Sequence, residues 1–380
     1  MDARAAALLA GLAALFPPAA GAFPAGTEGH APVVPARVRE IRIVATGDLL
    51  IHQPLWARAW ANGRGRYDFR PMFRAIRPII RGADLALCHV ETPMGAGPLS
   101  GYPVFNSPPE LARAIAWAGW DACSTASNHS VDRGQPGIEA TTRALGRAGV
   151  RHTGSFRSAA AARRLLLLDV RGVRIAFLSY TYGTNGIPPP HTWSVNLASA
   201  GKIVRDARRA RRRGADLVVV NLHWGNEYVH EPSSQQLALS RALVGRRAAD
   251  VIVGQHAHVV QPIRRVRGRF VVFGEGNLLS YQTARCCPAA AQDGLIAVVH
   301  VRVVEERVRV TEVSYVPTRV RHPDFVVEPV GLRFRRLARR GEVAAAEAQA
   351  LLASYRRTVA VVGRGPGIRP WPALSTAEAR

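Results

Sequence analysis

The chain has 380 residues, 48% of them hydrophobic, and carries 51 Lys and Arg against 27 Asp and Glu, a formal net charge of +24. That apolar fraction can build a large core and excludes a globally disordered chain, and beyond the leader no apolar run is long enough to cross a bilayer. The charge does not specify a nucleic-acid partner, because every cation except Lys202 is Arg and the arginines are scattered rather than gathered on one stripe.

At the N-terminus an apolar run, Ala5 to Phe16, is broken by Pro17-Pro18 and followed by the small residues Ala20-Gly21-Ala22. This reads as a secretory signal peptide over 1–22, or an uncleaved membrane tether, so the chain is expected to be exported. A Pro/Gly/Ala-rich linker follows over 23–38. The main domain is expected over 39–320, a helical extension over 321–363 and a disordered tail over 364–380.

Within the domain a first strand, Arg42 to Ala45, runs into Gly47-Asp48, and a helical pattern covers Phe69 to Ile80. Asp84 to Val90 is a strand ending at Glu91, and Pro108-Pro109-Glu110 opens a helix. Asp121 to Thr125 is a short strand leading into Ser127-Asn128-His129, followed by a helix from Gly137 to Ala148. Leu165 to Val170 and Val173 to Tyr180 flank Arg171-Gly172 and read as a hairpin. A basic helix, Ala198 to Arg213, precedes the strand Asp216 to Leu222, which ends at His223; its run Arg208 to Arg213 reads as a solvated helix end. The helix Ser233 to Gly245 leads to the strand Asp250 to Val253 and then to Gly254-Gln255-His256-Ala257-His258. From Ile263 onward the pattern is mostly strands. Alternating strands and helices followed by antiparallel strands point to an α/β sandwich with two sheets.

Four cysteines form no Cys-x-x-Cys pair, which argues against a structural zinc site. Cys88 and Cys123 lie in apolar strands and are expected to be buried small hydrophobes. Cys286 and Cys287 can pair with each other or elsewhere.

Asp48, Glu91, Asn128, His223 and the His256/His258 pair each follow a predicted strand, and in open α/β sheets the ligand site lies beyond the carboxyl ends of the strands. Carboxylate oxygens with imidazole nitrogens suit manganese, iron or zinc. Glu91 can bridge two cations, and two cations can clamp a phosphoryl or similar group. His129 is a candidate general acid, and Asp132, three residues on, can orient its ring. His152, His191, His230 and His322 belong to no motif and read as ordinary polar residues.

Gly47-Asp48-Leu49-Leu50-Ile51-His52, Val90-Glu91-Thr92-Pro93, Ser127-Asn128-His129-Ser130-Val131-Asp132-Arg133-Gly134, Leu222-His223-Trp224-Gly225-Asn226-Glu227-Tyr228 and Gly254-Gln255-His256-Ala257-His258-Val259-Val260-Gln261-Pro262 together resemble the ordered motifs of the CapA family. These are poly-γ-glutamate capsule biosynthesis proteins with a metallophosphoesterase-like fold, and Gly276-Asn277-Leu278 resembles the family's late Gly-Asn turn. The resemblance covers about residues 40 to 320. It implies a four-layer α-β-β-α sandwich of the metallo-dependent phosphatase type. It implies two divalent metal ions (Mn, Fe or Zn), one held by Asp48, His52 and His258, the other by Asn128, His223 and His256, with Glu91 between them. Glu227 and Arg133 then face the substrate. The implied function is that of a metal-dependent hydrolase or transferase in capsule or cell-envelope polymer biosynthesis. Its partners would be an anionic polymer or its precursor and membrane-associated capsule machinery, with no specific nucleic acid. The alternative is a non-enzymatic polyanion-binding or export factor. Two departures stand out: wider phosphoesterases have Asp-x-His where His52 here follows Asp48 by four positions, and they bridge with Asp where this chain has Glu91.

Overall fold

The computed structural model describes residues 38–95, 97–341 and 344–374. The expected leader, and the linker up to residue 37, lie outside them. Fifteen strands and ten α-helices follow in chain order among the described residues. They are β1 (Val38–Leu49), α1 (Gln53–Asn62), α2 (Arg70–Phe73), α3 (Arg77–Arg81), β2 (Leu85–Val90), α4 (Leu111–Ala118), β3 (Ala122–Ser124), α5 (Gly134–Arg147), β4 (Arg151–Thr153) and α6 (Ala159–Ala162). Next come β5 (Leu166–Val170), β6 (Val173–Thr181), α7 (Ala200–Arg212), β7 (Leu217–His223), α8 (Ser234–Gly245), β8 (Val251–Gln255), β9 (Ile263–Val266), β10 (Arg269–Val272) and β11 (Asn277–Leu279). The last are β12 (Asp293–Val304), β13 (Arg307–Arg321), β14 (Val326–Pro329), α9 (Val330–Arg340), α10 (Ala345–Val362) and β15 (Ile368–Pro370).

Two sheets form, one in the order β14-β13-β12-β1-β2-β3-β4 with β11 beside β1 and β15 beside β13, the other in the order β5-β6-β7-β8-β10-β9. The pleat sends alternate side chains to opposite faces, and the sequence uses both. In β1, Ile41, Ile43 and Ala45 meet Ile175, Phe177, Leu217 and Val219 of the second sheet. Val44 and Leu49 turn the other way, onto Leu55, Phe73 and Ile115 of the helices. In β6 and β7, Ala176, Leu178, Val218 and Val220 turn away from the first sheet onto Ile203, Ala207 and Leu243 of α7 and α8. Sheets buried on both faces require near-continuous apolar strands, which explains runs such as Leu217-Val218-Val219-Val220. The expected two-sheet sandwich is present, with its four layers in the order α-β-β-α.

Several local expectations are corrected. The helix over 69–80 is split into α2 and α3, because Pro71 and Pro78 each sit in a first turn and Pro78 cannot continue a preceding helix. The tail does not begin at residue 364: Ile368–Pro370 pairs in parallel with Val313–Tyr315, and Leu374 is buried against Val330, Leu351 and Tyr355. Cys88 and Cys123 are buried but not as free thiols; they stand opposite each other on β2 and β3 and form a disulfide. Cys286 and Cys287 are free. The basic run does end a helix: α7 buries Ile203, Val204, Ala207 and Ala210 and carries Arg209, Arg211 and Arg212 in its last turn, where cations complement the helix dipole. No helix among the described residues is long and apolar enough to cross a membrane.

Candidate metal centre

The parallel strands β1, β2 and β3 of one sheet and β7 and β8 of the other bring their carboxyl ends to a common seam. Asp48 lies at the end of β1, Glu91 directly after β2, Asn128 after β3, His223 at the end of β7, and His256 and His258 after β8. Close backbone approach makes this possible. A Cβ on Gly47 would collide with the Gly276 carbonyl oxygen, and one on Gly254 with the Phe273 carbonyl oxygen. Asp48 N–H donates to Gly276 O at 3.0 Å, and Asp48 pairs in register with Asn277 of β11. The loop after β8 presents two imidazoles to one cavity by turning at positive φ, 92° at His256 and 55° at His258. Such angles are uncommon outside glycine and persist only where the surroundings impose them. Here the His256 N–H reaches both Asp48 carboxylate oxygens at 3.3 Å.

The side chains converge. His258 Nδ1 is 3.1 Å from Asp48 Oδ2 and 3.1 Å from Asn277 Oδ1. Its Nε2 lies 3.7 Å from Glu91 Oε1. His223 Nε2 is 2.8 Å from Asn128 Oδ1 and 3.9 Å from Glu91 Oε1. Sets of ligand atoms lying within 4.8 Å of one another occur at Asp48, Glu91 and His258, at Glu91, His223 and His256, at Asp48, His89 and His223, and at Glu227, His256 and His258. Asp48, Glu91, His223, His256 and His258 are all buried, whereas Glu227 is exposed at the rim.

Electrostatics set the requirement of this cluster. Burial pushes the Glu91 carboxyl well above the usual carboxylate range, and neither of its oxygens has a hydrogen-bond partner. Burial pulls His223 well down and takes His256 to about 3 and His89 to about 4, so these three rings are neutral bases. For His258 burial opposes the charge, but Glu91 and Asp48 outweigh it and hold the ring at about 9. His89 Nε2, His223 Nδ1 and His256 Nδ1 also lack partners. Unsatisfied buried polar atoms are rare in folded proteins, and buried carboxylates are tolerated when paired or bound to metal. Two carboxylates, an amide oxygen and neutral imidazoles form a donor set that fits divalent manganese, iron or zinc.

His129 and Asp132 also come together. Asp132 Oδ2 is 2.8 Å from His129 Nδ1 and accepts the Phe105 N–H at 2.8 Å. The His129 ring packs edge-on against Phe105, with centroids 4.7 Å apart. Arg133 occupies the N-cap position of α5, and its guanidinium lies beside Gly97, outside the convergent groups. His52 also falls outside them. α1 starts directly after it at Gln53, with Pro54 in its first turn, and His52 occupies the N-cap position. Its Nδ1 sits 3.0 Å from Leu50 O, its ring lies against Phe105 and Tyr281, and burial lowers it to about 4.

Four residues of the site escaped the sequence reading. His89 lies inside β2 with its Nε2 3.8 Å from Asp48 Oδ1; the only signal was one polar residue in the apolar run Leu85-Ala86-Leu87-Cys88-His89-Val90. Tyr182 lies over His256, with centroids 4.6 Å apart. Asn185, at φ 50°, accepts the Asn128 amide at 3.2 Å. Glu275 is buried behind Asp48, where burial raises it to about 8 and Gln255 donates to it at 2.7 Å. The last three belong to no motif.

Residues 42–282 match the family model described as bacterial capsule synthesis protein PGA_cap. The chain belongs to this family. Among PGA_cap relatives, the capsule biosynthesis protein CapA of Bacillus anthracis is 28% identical over 264 residues, 67% of this chain and 63% of that protein. The PGA biosynthesis protein CapA of Bacillus subtilis is 27% identical over 217 residues, 55% of this chain and 56% of that protein. The chain thus spans about three-fifths of the length of the curated relatives it matches. Among solved structures, a calcineurin-like phosphoesterase of Bacillus subtilis is similar with a TM-score of 0.48 at 12% identity, covering 85% of this chain and 99% of that one. A putative 5'-nucleotidase of Staphylococcus aureus gives a TM-score of 0.49 at 16% identity, covering 79% and 58%.

Proposed function

We propose that this PGA_cap-family chain is a metal-dependent hydrolase or transferase acting on a poly-γ-glutamate or other cell-envelope polymer, or on its precursor, outside the cytoplasm. The observation that carries the reading is Glu91: a fully buried carboxyl, neither oxygen hydrogen-bonded, set among the imidazoles of His223, His256 and His258 from the opposite sheet. Asp48, Glu91 and His258 would hold one divalent cation and Glu91, Asn128, His223 and His256 a second. When bound, such ions supply Lewis acidity to an ester, amide or phosphoryl centre and a nucleophile at neutral pH.

The chain's own groups supply the rest. His129, fixed through Nδ1 by Asp132, has Nε2 left to hold a proton and deliver it to the leaving group. Asn277 accepts from His258 Nδ1 and orients that ring, and Asn185 does the same for the Asn128 amide. Glu227, at the rim, would contact substrate, as would Arg133 from beside Gly97, outside the convergent groups. The names of the Bacillus relatives support a capsule polymer as the target. The Cys88–Cys123 disulfide, with the apolar run Ala5 to Phe16 in the sequence, supports an oxidising, extracytoplasmic location. Membrane-associated capsule machinery is the corresponding partner.

The deciding experiment combines elemental analysis after loading with Mn(II) or Zn(II) and turnover of poly-γ-glutamate and of an ester and amide panel, in the wild type and in His129→Ala. Loss of turnover with metal retained is expected; a wild type that takes up no metal would sink the reading. A non-enzymatic polyanion-binding role is favoured by one separate feature, a cavity of about 540 Å³ lined by Arg143, Arg147, Arg157 and Arg164. Salt-sensitive polyglutamate binding without turnover, unchanged in His129→Ala, would select it.

A further inference from the structure

We infer that His89, through Nε2, binds the cation on the Asp48 side of the centre and fills the place that His52 would take by sequence spacing; the inference rests on the metal-centre reading above. Ser124 carries the first step. Its hydroxyl donates to Cys88 O at 3.3 Å and so accepts from His89 Nδ1 at 2.7 Å. With the ring proton committed to Nδ1, Nε2 bears a lone pair.

That lone pair points at Asp48 Oδ1 from 3.8 Å, beyond hydrogen-bond range and with no donor between them. Both side chains are fully buried. Two lone-pair atoms facing across such a gap are the arrangement two ligands of one cation adopt, since each would lie about 2.0–2.2 Å from the ion. A purely packing role accounts for the ring, which stacks on His223 with centroids 4.8 Å apart. It does not account for an orphaned Nε2 in the interior of the site. His52 offers no equivalent. Its Nδ1, engaged by Leu50 O, leaves Nε2 free as in His89, but the ring lies against Phe105 and Tyr281 and belongs to none of the convergent ligand sets among the described residues.

The test uses the full chain with Mn(II) and Zn(II) as probes. Metal content after loading and dissociation constants by calorimetry are measured for wild type, His52→Ala, His89→Gln, His89→Ala, Ser124→Ala and His223→Ala, with circular dichroism to verify folding. Both His89 variants are expected to lose one equivalent or to bind it at least tenfold more weakly. Ser124→Ala should weaken it about tenfold through the lost orienting bond, and His52→Ala should keep wild-type stoichiometry. A folded His89→Gln with wild-type content and affinity, alongside a His223→Ala that loses metal, would overturn the role of His89 and leave the centre intact. A wild type without metal would overturn both. If the His89 variants do not fold, nitrogen-15 NMR of the wild-type histidines during Zn(II) titration decides. The His89 Nε2 resonance must start as the unprotonated nitrogen and shift on binding; a protonated or unmoved Nε2 overturns the proposal.

Discussion

Glu91→Met separates what the centre costs the apoprotein from what it gains on loading. In the metal-free chain this variant removes two buried carboxyl oxygens that have no hydrogen-bond partner, and an unsatisfied buried polar group costs about 1–3 kcal/mol. The unfolding entropy of about 330 described residues corresponds to roughly 0.7 kcal/mol per degree. The metal-free variant should therefore melt about 2–4 °C above metal-free wild type. With metal the order inverts. A cation present at about a thousand times its dissociation constant stabilises by about 4.1 kcal/mol, or roughly 6 °C on the same scale. Wild type should gain that shift, whereas Glu91→Met, lacking the carboxylate shared by both ligand sets, should gain little. Calorimetric melting of chelator-stripped protein with and without 1 mM Mn(II), a concentration of about that excess for a micromolar site, reads both terms. A variant that is less stable than wild type without metal, and still shifts as wild type does with it, would refute the reasoning.

Asp132→Asn should leave metal content unchanged while lowering turnover about 10²–10⁴-fold, since it disturbs only the orientation of the proposed acid; a loss of metal would place Asp132 in the centre instead. Metal affinity should rise with pH toward about 9, because His258, held at about 9, must give up its proton on binding, and the elevated Glu91 adds to that rise. Calorimetry in buffers of different ionisation enthalpy should show proton release, and an affinity independent of pH between 6 and 9 would contradict the assignment. Removing the disulfide by Cys88→Ala with Cys123→Ala should destabilise the chain by about 3–4 kcal/mol for a 35-residue separation, about 5 °C; thermal melting in non-reducing buffer measures it.

The sequence made the strand ends legible because a charged or imidazole side chain at the end of an apolar run breaks the run. Asp48, Glu91, His223 and the His256/His258 pair all announce themselves that way, and the structure gathers them at one seam. His89 does the opposite. It sits within a run that reads as core, and only the pairing of β1 with β2 shows that its pleat faces Asp48. His52 shows the converse failure. Nearness in sequence to Asp48 says nothing of the helix that starts directly after it at Gln53, which leaves the ring on Phe105 and Tyr281. The cysteine pairing depends on the register of β2 against β3, which two isolated apolar segments do not encode. The final strand, Ile368–Pro370, is too short to carry a period and exists because the edge of β13 is there to receive it.

The division of donors between the sheets has a further consequence. Asp48, His89, Glu91 and Asn128 come from the first sheet and its loops, and His223, His256 and His258 from the second. Nearly all the acidic and amide oxygens thus face nearly all the imidazoles across the seam. The apolar layer between the sheets, from Ile43 and Phe177 to Val253 and Tyr315, holds them together without any ion. Cations bound as proposed would add a clamp only at the carboxyl-end edge, where the backbone is already forced through positive φ at His256 and His258. Metal loading should then protect the amides of the 254–260 loop and the 275–279 segment from hydrogen exchange far more than those of β5, β9 or α7. Uniform protection would mean that the ions stabilise the chain as a whole rather than the seam, and no protection at the seam would remove the clamp altogether.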